Sequence, residues 1–325
     1  MATLRTICLT ALAALALAGC GGHATSARKL VAFSQANNAE PYRAAQKALM
    51  EQLFAKTPDV ELAISDAEQD NNKQIGQIET FIREKPTALI VAPNERAALT
   101  AVMGEAMQAG IPVICLERDI LQPNYTTYIR IDNHAIGRMA GDFIVDYLRK
   151  KSGSPKGNVV ILRGLLGVEA QINRDSGARE VLSQYPDIHI VADPVADWIQ
   201  AKAKDRMTEV LRVQPAIDVV YAHNDPMAVG AYLAAKELDR EKEMIFVGVD
   251  GLGGPAGGIR KVMDGVLAAT FIYPLAVKEA AGLTQHILRE PTFKPPKEIT
   301  LESTMVTPQN AAQLYKENSL DANGT

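Results

Sequence analysis

Apolar residues in this chain come in short unbroken runs separated by longer amphipathic stretches. The runs cover residues 30–33, 60–64, 88–92, 113–116, 159–162, 188–192, 219–222 and 245–249. Each has the length of a strand and lacks the one-in-two alternation of a half-exposed sheet, so both faces are expected to be covered, as in parallel sheets. Between the runs, residues 42–54, 73–83, 97–109, 136–148, 202–211 and 227–238 repeat their apolar positions with helical spacing. Strand and helix alternating in this way predict an α/β, doubly wound architecture. The series exceeds one comfortable open sheet and restarts near Lys156, which predicts two similar lobes.

In open α/β sheets ligands sit beyond the carboxyl ends of the strands. The first run leads into Ser34 and Asn38, with Glu40, Tyr42 and Arg43 opening the next helix; the fourth ends in Glu117 and Arg118. In the second half the corresponding residues are Trp198, Asn224 and Asp250, with Tyr273 after a later strand at 268–272 and Arg174 on the lobe's first helix. Carboxylates, guanidiniums and amides suit a polyol, whose hydroxyls both donate and accept, while aromatic rings cover its C–H faces. Each residue also has a plainer reading. Asp225 before Pro226 reads as a helix cap that frees Asn224, Glu117–Arg118 as a solvated ion pair, and Tyr42 and Trp198 as core. Their joint placement at strand ends favours a site.

Composition adds limits. The chain has 325 residues and a formal charge of −4, which gives no basic footprint for nucleic acid. Residues 1–19 have the layout of a signal peptide: Arg5, then an apolar stretch at 7–17 too short to span a bilayer. The ending Leu17-Ala18-Gly19-Cys20 resembles a bacterial lipobox, which implies lipid on Cys20 and a tether over 20–29. Cys8 then leaves with the signal, and Cys115, in an apolar run, is expected to be a buried, inert thiol without a disulfide partner.

Catalytic signatures are weak. The 251–256 Gly-rich run fits G-x-G-x-x-A, but Pro255 removes an amide where a phosphate needs one. The histidines have no metal-ligand spacing, and no cofactor or metal is expected. Glu117 with Asp250 suggests a glycosidase pair, but an arginine beside each is expected to keep both ionised, leaving no general acid.

In combination, Phe33-Ser34-Gln35 with Tyr42-Arg43, Ile111-Pro112-Val113 before Glu117-Arg118, Asp132-Asn133 with Gly137, Tyr221-Ala222-His223-Asn224-Asp225, Gly248-Val249-Asp250-Gly251 and Met263-Asp264-Gly265 resemble the periplasmic sugar-binding proteins of the ribose and galactofuranose type. The resemblance implies a type I periplasmic binding protein: two doubly wound parallel-sheet lobes joined by three crossovers near 130–133, 273–275 and 300–303. Lobe one would hold 30–131 and 274–300, and lobe two 132–273 and 301–325. It further implies a non-catalytic, monomeric receptor that closes around a monosaccharide outside the cytoplasmic membrane and passes it to an ABC permease; a sensor kinase or chemoreceptor is the alternative listener. By position it assigns ligand contacts to Ser34, Asn38, Tyr42, Arg43, Glu117, Arg118, Arg174, Trp198, Asn224, Asp250 and Tyr273. Glu117 stands where the family has Asp, Tyr273 where Gln or a similar polar residue is common, and Glu40 and Glu169 add carboxylates nearby.

Overall fold

The computed structural model describes residues 28–290 and 292–318. The signal segment, Cys20 and nearly all of the tether lie outside the described residues. From the amino end, β1 (Lys29–Gln35), α1 (Pro41–Phe54), β2 (Val60–Asp66), α2 (Asn71–Glu84), β3 (Ala88–Ala92), α3 (Arg96–Gln108), β4 (Val113–Glu117) and β5 (Thr127–Ile131) form one winding series. A second follows: α4 (Asn133–Ser152), β6 (Gly157–Leu162), α5 (Glu169–Leu182), β7 (Ile188–Ala192), α6 (Gln200–Val213), β8 (Val219–Ala222), α7 (Asp225–Glu237), β9 (Ile245–Val247), α8 (Gly258–Met263) and β10 (Thr270–Ile272). The chain ends with α9 (Val277–Arg289), β11 (Glu298–Leu301), β12 (Thr304–Val306) and α10 (Ala311–Asn318).

The first sheet runs β11-β5-β4-β3-β1-β2, with every pair parallel. The second runs β7-β6-β8-β9, also parallel. Single bridges Val247–Ala269 and Asp250–Ile272 carry it on to β10, which pairs antiparallel with β12. The fold is therefore the two-lobed, doubly wound α/β architecture. The chain passes between the sheets after β5, after β10 and after β11.

The continuous apolar runs become strands buried on both faces: β3, β4 and β8 contain no exposed position. In lobe one Val31 and Phe33 face one core, while Ala32, Leu89 and Val91 face another with Leu99 and Met103 of α3. Sequence periodicity had no hold on β5, β11 and β12. Thr127 and Arg130 interrupt β5, and β11 alternates exposed and half-buried residues because it is a sheet edge. Local chemistry sets the helix starts: Pro41 opens α1, Asp70 caps α2 by accepting from Lys73 N, and Asp132 caps α4 by accepting from Ala135 N.

Helices α4 and α5 touch backbone to backbone. A Cβ on Gly137 would lie 2.4 Å from Arg174 O, and one on Gly177 would lie 2.3 Å from His134 O. Only glycine allows this approach, and it presses the helix that carries Arg174 against the first crossover.

Candidate functional site

Between the lobes the strand ends converge on a small polar cavity of about 20 Å³. Its lining takes Glu40, Tyr42, Arg43, Glu117 and Arg118 from lobe one, Ala170, Arg174, Trp198, Asn224 and Asp250 from lobe two, and Tyr273 from the second crossover. Nine of the residues expected from sequence are thus together. Ser34 and Asn38 are not. Ser34 is fully buried on β1, where its hydroxyl accepts from Gln74 Nε2 at 3.2 Å, and Asn38 stands in the β1–α1 loop outside the lining.

The backbone turns sharply to present several of these groups. Glu117, Trp198 and Asp250 all have positive φ, at 69°, 70° and 126°. Arg118 N donates to Leu116 O at 2.8 Å, closing a three-residue turn around Glu117. Such conformations cost non-glycine residues about 1–3 kcal/mol each and persist where the surroundings fix them. Here Asp250 N donates to Phe271 O and Asp250 O accepts from Tyr273 N, tying it to the strand beside it.

Arg43 and Glu117 form a buried ion pair at 2.7 Å, the two side chains being 1% and 3% exposed. The expected Glu117–Arg118 pair is looser, at 3.7 Å. Arg118 instead donates from Nη1 to Asn94 O at 2.9 Å, and its Nε has no hydrogen-bond partner among the described residues. Arg174 is aimed by two bonds, Nε to Asn133 Oδ1 at 2.9 Å and Nη1 to His223 O at 2.5 Å. Its guanidinium lies 4.4 Å from the Tyr273 ring centroid and 5.8 Å from that of Trp198. Asn133, fully buried, also donates to Tyr273 Oη and to Glu169 Oε2. The sequence placed Asn133 in the Asp132-Asn133 motif at the first crossover without assigning it to the site, and its role comes from touching Arg174 and Tyr273 at once.

Two expectations need correction. The cap of α7 is Asn224, which accepts from Met227 N at 3.0 Å and donates to Trp198 O at 3.1 Å. Asp225 is instead a buried brace that accepts from Gly251 N and Thr270 Oγ1. Arginines also do not hold both carboxylates. Glu117 has Arg43, but Asp250 forms no ion pair among the described residues; burial, and then the neighbouring Asp225, push its pKa well up, against the pull of Arg174. The case against glycosidase chemistry therefore does not rest on two ionised carboxylates. Glu169 turns away into a separate polar cleft with Arg96, Asp119 and Arg130. Cys115 is buried, as expected. Among the described residues no cluster fit for a metal ion occurs, and no helix is long and apolar enough to cross a membrane.

Comparison with known proteins agrees with this architecture. The periplasmic binding protein domain matches residues 31–278. A xylitol-binding protein of Mycolicibacterium smegmatis is 32% identical over 231 residues, 71% of this chain but only 64% of the relative's length. Among solved structures, a fructose-binding periplasmic domain of a hybrid two-component system superposes with a TM-score of 0.83 at 38% identity, over 89% of this chain and 94% of that one. The binding component of an arabinose ABC transporter from Shewanella sp. ANA-3, bound to α- and β-L-arabinofuranose, gives a TM-score of 0.81 at 28% identity, over 90% and 96%. These relatives are binding proteins rather than enzymes.

Proposed function

Because the chain belongs to the periplasmic binding protein family, of the type I sugar-binding kind, we propose that it is an extracytoplasmic receptor whose lobes close on one monosaccharide for delivery to an ABC permease. The observation that carries this reading is the cavity itself. Three arginines, three carboxylates and three aromatic rings from both lobes and a crossover converge on one small hollow, the mix of donors, acceptors and apolar faces that a polyol needs. Closure removes water, so each charged hydrogen bond to a sugar hydroxyl is worth about 1.5–3 kcal/mol. Xylitol, fructose and arabinofuranose, the ligands named for the relatives, are all small polyols.

Calorimetric titration with pentoses and hexoses in both ring forms tests it. One monosaccharide should bind, and Asp250→Ala and Arg174→Ala should weaken it at least about ten-fold, whereas Lys47→Ala, half-exposed on α1, should not. Binding of a charged amino acid or a nucleoside in place of any sugar refutes the polyol reading. A second reading, that the receptor reports to a histidine kinase, is favoured by the 38% identity to a two-component sensor domain. Loss of labelled-sugar uptake in a strain lacking the protein supports transport; intact uptake with loss of the transcriptional response supports sensing. Attachment through lipid on Cys20 belongs to the same proposal. The mature N-terminus should carry acyl groups at Cys20 by mass spectrometry, and an unmodified terminus downstream of it refutes the anchor.

A further inference from the structure

A second, larger hollow lies against the sugar cavity. It is an open groove of about 580 Å³ walled by apolar residues, including Ala44 and Ala48 of α1, Pro226 and Val229 of α7, Leu252 and Leu275. Among the described residues, Asp250 and Tyr273 alone line both hollows. Asp250 is short and fixed by its backbone, so Tyr273 brings the larger of the two shared side chains to the boundary.

That ring is fastened on all sides. Its hydroxyl donates to Glu117 Oε1 at 3.2 Å and accepts from Asn133 Nδ2 at 3.2 Å. The ring packs against Tyr42 at 5.2 Å between centroids, and Tyr42 is itself anchored by donating from its hydroxyl to Pro274 O at 2.7 Å. Arg174 lies at 4.4 Å. Tyr273 is 3% exposed. Swinging it aside would break two buried hydrogen bonds and remove a guanidinium–ring contact together.

Resting on the monosaccharide reading, we propose that Tyr273 is the residue that sets the ligand's size: a fixed partition that limits the site to one unsubstituted ring and closes off an apolar space able to take an alkyl substituent. Hydrophobic walls of this kind discriminate by roughly 10–200-fold per added methylene-scale group.

The test uses calorimetry on wild type, Tyr273→Phe, Tyr273→Ala and Tyr273→Gln. The ligands are the best-bound free sugar and its mono-O-butyl ethers, one for each hydroxyl. Wild type and Tyr273→Phe should reject every ether by at least about ten-fold relative to the free sugar, since the ring remains. Tyr273→Ala and Tyr273→Gln should accept at least one ether nearly as well as the free sugar. Thermal melts establish that each variant is folded. If Tyr273→Ala does not fold, Tyr273→Gln, which keeps a polar group for Glu117, carries the test. Acceptance of an ether by wild type, or equal rejection of all ethers by the folded small variant, overturns the partition while leaving the receptor reading intact. Failure of wild type to bind any sugar overturns both.

Discussion

Removing one half of the Arg43–Glu117 pair is expected to hurt the fold more than removing both halves. The two groups meet at 2.7 Å with almost no exposure, and Glu117 also accepts from Tyr273 at the second crossover. Arg43→Met leaves Glu117 buried with Arg118 at 3.7 Å as its nearest cation. Glu117→Gln leaves Arg43 with Gln46 Oε1, at 2.9 Å, as its side-chain acceptor. Breaking a buried pair from one side costs about 3–5 kcal/mol, because the charge left behind has lost both water and partner. Replacing both halves with neutral groups of similar size costs far less. With a urea slope of about 3 kcal/mol per molar, each single variant should lose about 1–1.7 M from its midpoint. The double variant should lie well above the sum of the single losses, with a coupling energy of at least about 1.5 kcal/mol. Urea titrations of the four proteins, followed by circular dichroism, supply the cycle. Additive losses would refute the reasoning, since they would mean that the two side chains do not depend on each other in the folded state.

Three further outcomes follow from other parts of the molecule. Burial, and secondarily Asp119, raise Glu169 from 4.5 to about 7, while Asn173, Asn133 and Arg174 pull the other way. A carboxyl with a raised folded pKa binds its proton more tightly folded than unfolded, so stability falls as pH rises through that window, by up to about 3 kcal/mol for this group. Glu169→Gln should therefore gain on wild type between pH 4.5 and 7 in urea titrations, and parallel curves would contradict this. Gly164→Ala would put a methyl 2.1 Å from the Trp198 ring, displacing the cavity's indole and weakening sugar binding about ten-fold. Trp198 is the chain's only tryptophan, so fluorescence reports both the displacement and the binding, and unchanged affinity would count against the indole as a wall. Cys115, buried with its thiol pKa pushed well up by burial, should resist alkylation in the native protein and react in guanidinium, as read by peptide mass. Native labelling would show that its core opens readily.

Much of the architecture was legible because parallel strands covered on both faces leave unbroken apolar runs. Val219–Ala222 can hardly be anything but interior. Strand ends were legible as site positions for the same reason, which is how Glu117, Asn224 and Asp250 were found. What each residue does there was less legible. Whether Asn224 or Asp225 caps α7 depends on Gly251 and Thr270, which lie far along the chain and claim Asp225. Arg43 wins Glu117 from the adjacent Arg118 because the turn at Glu117 sends Arg118 toward the Asn94 carbonyl. Ser34 follows β1 inward, a choice of face that a run apolar on both sides cannot reveal. Asn133 stood in the sequence only as part of the Asp132-Asn133 motif at the joint, with nothing to say that it would aim Arg174 and Tyr273.

The triple passage between lobes also bears on how the chain is made. Lobe one's sheet lacks its edge strand until Glu298–Leu301 pairs with Tyr128–Ile131, and lobe two's lacks its own until Thr304–Val306 reaches β10. Both lobes are thus finished by one short stretch, far along the chain from most of the strands it completes. Until it arrives, β5 and β10 offer bare edges, and the long loops that must close make completion slow. Such edges invite edge-to-edge aggregation, so truncation anywhere before residue 298 should cost both lobes together rather than one.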